Sequence, residues 1–148
     1  MKKLILLVLL GLTGTFGFAA GNDTIAVVLS KNITVNWSVK NAKVVQDDVF
    51  LKLKANKKAI KAELYELVAD VTDLGIEACF KKSGKVKKGD VAFYLFDVLY
   101  NVPYQGVLGQ KFDQFLLSCT PPQGLYDYID ANRAKVVADM RAFYTKQM

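Results

Sequence analysis

One carboxylate is set inside an apolar run. Asp97 lies within residues 91–100, beside Phe93, Tyr94 and Tyr100. Burial there would raise its pKa and suit it to general-acid work. That makes Asp97 the one catalytic candidate. Such a carboxylate more often has a structural role, accepting from a tyrosine hydroxyl or from a backbone amide of a neighbouring segment. The chain has no histidine. Histidine-activated nucleophiles, histidine metal sites and a histidine general base are therefore excluded, and any catalysis rests on carboxylates, Lys, Tyr or Cys.

Three further groups carry chemical potential. Glu63, Glu66, Asp70, Asp73 and Glu77 follow one another by threes and fours. Clustered oxygens attract hard cations, but a straight helix does not converge five carboxylates on one point. The row reads as a solvated helix face, and no metal or cofactor is expected. Two lysine clusters flank it. Lys52, Lys54, Lys57, Lys58 and Lys61 come before, and Lys81, Lys82, Lys85, Lys87 and Lys88 come after. The second cluster is taken as the candidate for contact with an anionic surface such as lipid headgroups. The bland alternative is solubility and local pairing. Neither cluster contains arginine, which argues against shaped phosphate recognition. Tyr104, Tyr126 and Tyr128 lie near proline-containing turns. They are candidates for a partner surface, against a plainer role in core and turn packing.

The two cysteines, Cys79 and Cys119, are expected to form one disulfide in an oxidising compartment. It would close a loop of about 40 residues and stabilise the chain by on the order of 4 kcal/mol.

The compartment follows from the start of the chain. Lys2 and Lys3 precede an apolar run over residues 4–12, and Ala19, Ala20 and Gly21 are small. Residues 1–21 read as a cleaved signal peptide, leaving residues 22–148 as a single domain that is periplasmic or secreted. Its loss lowers the formal charge from +6 to +4, too little to make nucleic acid a partner.

The elements that must position these groups follow from periodicity. Val49, Leu53, Ile60, Leu64, Leu67, Val71, Leu74 and Ala78 recur by threes and fours, apart from a gap filled by Asn56. That spacing predicts a long helix over 48–80 capped by Asp47, with a break near Asn56 as an option. Ile33, Val35, Trp37 and Val39 alternate with polar residues, as a half-buried strand does. Residues 25–29 supply a second strand for a hairpin, with Trp37 as the anchor. Further helices are expected over 91–100, 107–118 and 125–146. The fold class is thus mainly α: a compact four-helix domain with a short N-terminal β-hairpin or strand and one disulfide.

The leading expectation is a small exported, non-catalytic binding protein, an inhibitor or envelope accessory factor. Its partner would be another exported protein or an envelope component. One alternative is a carboxylate-based cell-wall polysaccharide hydrolase with Asp97 as its acid. The other is a peripheral binder of anionic membrane through lysine clusters.

Overall fold

The computed structural model describes residues 23–82, 84–112, 121–122 and 124–146. The signal-peptide segment therefore lies outside the described residues.

The N-terminal part is a three-stranded antiparallel sheet in the order β1-β2-β3, formed by β1 (Thr24–Val28), β2 (Thr34–Ser38) and β3 (Lys43–Val44). Register pairs Ile25 with Trp37, Val27 with Val35, and Trp37 with Val44. One face thus collects the β-branched and aromatic side chains, and Val27, Val35, Trp37 and Val44 are buried. The β1–β2 turn is fixed by Ser30, whose Oγ accepts from the amides of Asn32 and Ile33. Trp37 meets Tyr94 and Phe80 edge-on at 5.4 and 6.3 Å. It thereby ties the sheet to the helices.

Helix α1 (Asp48–Ala55) starts at Asp47, whose Oδ1 accepts from the amides of Val49 and Phe50. Its Oδ2 takes the Asn36 side-chain amide at 2.6 Å, locking the helix start to β2. The helix breaks at Asn56, and α2 (Lys57–Leu67) follows. Helix α3 (Lys88–Tyr100) is buried nearly all round and forms the centre of the core. A short α4 (Tyr104–Leu108) stops at Gly109, which takes the left-handed conformation at φ 67°. Helix α5 (Leu125–Thr145) closes the fold. It is kinked at Asn132, whose side-chain amide donates to the Tyr128 carbonyl.

The described residues thus hold five helices and a three-stranded sheet, which corrects the expected four-helix domain with a hairpin or single strand. The expected 48–80 helix is broken once and ends at Leu67. Beyond it, the Asp70 carboxylate accepts from the Thr72 amide at 2.8 Å and the Asp73 carboxylate from the Gly75 amide at 2.6 Å. Gly75 sits at φ 71°. These local bonds compete with helix, and the segment pairs with the approach to α3 instead. Leu74 N donates to Val86 O, Val86 N to Ile76 O, and Lys88 N to Thr72 O. Cys79 consequently lies exposed in a connection, not at a helix end. Cys119 lies outside the described residues, as do 113–118 of the expected third helix, and with Cys119 the expected Cys79–Cys119 disulfide.

Candidate functional site

The corner between α3 and α4 is built around Asp97. Its Oδ1 accepts from the Val102 amide at 2.9 Å and its Oδ2 from the Tyr104 hydroxyl. Asn101 makes the turn possible by adopting φ 53°, a conformation Asn tolerates better than most residues. Burial drives the Asp97 pKa up, and the two bonds only partly offset it. The Tyr104 hydroxyl is likewise driven well up, by burial first and by Asp97 second. Both carboxyl oxygens accept within the corner, so Asp97 positions Tyr104.

Tyr104 in turn anchors an aromatic row. Its ring stacks on Phe93 with centroids 6.4 Å apart and meets Phe112 edge-on at 6.0 Å. Phe112 meets Tyr128 at 5.7 Å. Tyr128 also donates its hydroxyl to the Leu108 carbonyl at 3.4 Å. Beside this row lies a cavity of about 420 Å³ lined by Pro103, Tyr104, Gln105, Gly106, Gln110, Lys111 and Phe112. A second cavity of about 360 Å³ is lined by Gly106, Val107, Asp139, Ala142, Phe143 and Lys146. Both are lined by Gly106, the smallest residue of α4. Of the tyrosines singled out by sequence, Tyr104 and Tyr128 belong to this row. Tyr126 is 1% exposed in the core, packed on Phe80 and Phe93.

The second lysine cluster is dispersed by pairing. Lys81 is a buried bridge whose Nζ lies 2.7 Å from Asp90 and 2.5 Å from Asp130. Arg133 spans the same two carboxylates. Lys87 adds a bond to Asp130 at 3.1 Å. Asp90 is 0% exposed and also accepts from the Lys87 amide, closing the first turn of α3. Three cations thus hold two acids between the 68–87 connection, α3 and α5. The Lys81, Lys87 and Arg133 contacts outweigh burial and hold the Asp130 carboxyl down at about 2. Lys85 pairs with Glu77. Lys82 and Lys88 are not among the described ion pairs, although the Lys82 amide donates to Asp127. Sequence reasoning missed this network because its partners are up to 49 residues apart.

The acidic row is scattered too. Glu66 takes Arg141 through both oxygens at 2.6 and 2.7 Å. Glu63 receives the Asn32 amide, and Asp70 and Asp73 serve the turns described above.

No family model, curated protein or solved structure matches this chain.

Proposed function

We propose that this protein is a small exported, non-catalytic binding protein. It takes an extended segment of another exported protein or envelope component into a groove formed across α4 by the two cavities that share Gly106. The single observation carrying this reading is the meeting of two cavities at Gly106, flanked by Tyr104 and Phe112 on one side and Phe143 on the other. Aromatic residues fixed by their own packing offer contact area at little entropic cost. The Asp97 bond sets the Tyr104 ring before any partner arrives. Lys111 and Lys146 edge the two cavities and suit a segment carrying acidic side chains.

The test is site-specific crosslinking in the native envelope. A photoreactive side chain at Gln105 or Gln110 is expected to give one discrete adduct. Gly106→Leu fills the groove and should abolish it. Gly106→Ala should preserve it, since an added Cβ would meet nothing closer than Phe143 at 3.7 Å. An adduct that survives Gly106→Leu, or none at either position, overturns the reading. Export is tested separately by fractionation, with a mature N-terminus expected at Ala20 or Asn22.

A further inference from the structure

The first lysine cluster behaves differently from the second. Lys52, Lys54, Lys57, Lys58 and Lys61 fall within ten residues. None of them is in an ion pair among the described residues, whereas Lys81, Lys85, Lys87, Lys135, Arg133 and Arg141 all are. Two of the five lie over aromatic rings. Lys57 is 5.7 Å from the Tyr100 centroid, and Lys61 is 5.9 Å from Tyr100 and 5.0 Å from Tyr144. Lys52, Lys54 and Lys58 are exposed. Among the described residues, this concentrated positive charge is therefore left without ion-pair compensation.

An apolar residue sits among these charges. In α1 the buried side is Phe50 and Leu53. At 100° per residue Leu51 turns away from both, and it is 54% exposed, with Val49 at 37%. Exposed charge alone would suit any polyanion. An exposed leucine beside unpaired lysines suits a surface that is anionic outside and apolar just beneath.

We infer that the outer face of α1 and the first turn of α2 dock on an anionic lipid bilayer, with Leu51 entering the headgroup boundary and Lys52, Lys54 and Lys58 contacting phosphate. Lysine serves here as a point charge. Lipid contact needs no bidentate fork, so the lack of arginine in the cluster is no obstacle. This surface is distinct from the α4 groove, so a protein can be held at a membrane while its groove takes a partner.

The test uses the mature chain with vesicles of phosphatidylcholine, alone or mixed with phosphatidylglycerol, in a sedimentation assay. Binding is expected only to the mixed vesicles and should fall as salt rises. Each Lys→Gln change is worth roughly fivefold, so K52Q/K54Q/K58Q together should weaken binding roughly a hundredfold. Leu51→Ser should weaken it with the charge unchanged, and Lys85→Gln should have no effect. All these side chains are solvent-facing, and circular dichroism checks that each variant is folded. Absence of binding at low salt, or unchanged binding by the triple variant, overturns the inference. Binding to heparin as strong as to vesicles, with Leu51→Ser silent, also overturns it and identifies a soluble-polyanion site.

Discussion

Arg133 donates through Nη1 to the carbonyl oxygen of Val68 at 2.8 Å. The last helix thereby caps the end of α2 across 65 residues of chain. A helix end leaves its final carbonyls without intrahelical partners, and here a buried guanidinium supplies one. The same side chain reaches Asp90 and Asp130 through Nη2. One residue therefore fixes where α2 stops, where α3 begins, and how α5 lies against both.

Arg133→Met is expected to destabilise the fold by about 3 kcal/mol, the lower end for breaking a buried ion pair, because Asp90 keeps Lys81. Arg133→Lys should recover little. An ammonium on a flexible stem does not reproduce a fork that serves a carbonyl and two carboxylates at once. Urea unfolding at neutral pH measures both. A loss below about 1 kcal/mol for the methionine variant would mean that the network contributes no more than a surface pair.

Gly89 opens α3 with its amide donating to the Asp70 carbonyl at 2.9 Å. A Cβ at this position would lie 2.6 Å from the Asp70 oxygen and 2.5 Å from Arg133 Nη1, and closer still to the Val68 oxygen. Two of those neighbours are backbone and cannot swing aside. Gly89→Ala should therefore cost about 3 kcal/mol, the upper end for overpacking. Gly106→Ala should be neutral or stabilising by up to about 1 kcal/mol through helix propensity. Thermal unfolding of the pair decides it, and equal melting temperatures would contradict the close approach at Gly89.

The ion network also sets an acid limit. Asp130 has a folded pKa of about 2, below its ordinary 3.8. A depressed carboxyl contributes stability that is fully present above the unfolded pKa and is lost as pH falls through the folded one. The loss should thus run from about pH 4 down to about pH 2. Its size is on the order of 1 kcal/mol once solvent screening is allowed for. Asp130→Asn should flatten the melting temperature across that window. An unaltered acid limb in the variant would place the effect on other carboxyls.

The β2 alternation was legible because it buries a face that its neighbours in sequence already define, and α3 because its run is apolar nearly all round. Periodicity failed beyond Leu67. Val71, Leu74 and Ala78 continue the stripe, yet Val71 is 63% exposed. The competing signal was present in the sequence as Asp70 two residues before Thr72 and Asp73 two before Gly75, spacings that favour side-chain turns over helix. The burial of Lys81 had no such signal, since it depends on Asp130 arriving from another helix. Of the aromatic row and the cavities beside it, Tyr104 and Tyr128 were legible as aromatic residues near turns. Phe112 and Gly106 were not, because what matters about them is which elements they bring into contact.

Asp97 separates a positioning role from an acid–base one. Asp97→Ala leaves the Val102 amide and the Tyr104 hydroxyl without their acceptor and should cost about 1–3 kcal/mol. Asp97→Asn keeps both contacts. Its carbonyl can take the Val102 amide, and its NH2 can donate to the Tyr104 oxygen once that hydroxyl rotates. Burial raises the wild-type carboxyl, so its contribution is present below the unfolded pKa and is lost as pH rises through the folded one. The Asn variant has no proton to lose. It should match or exceed the wild type in stability at neutral pH and retain the groove-dependent crosslink, while the Ala variant loses both. An Asn variant that folds fully but loses the crosslink would show that the carboxylate itself meets the partner.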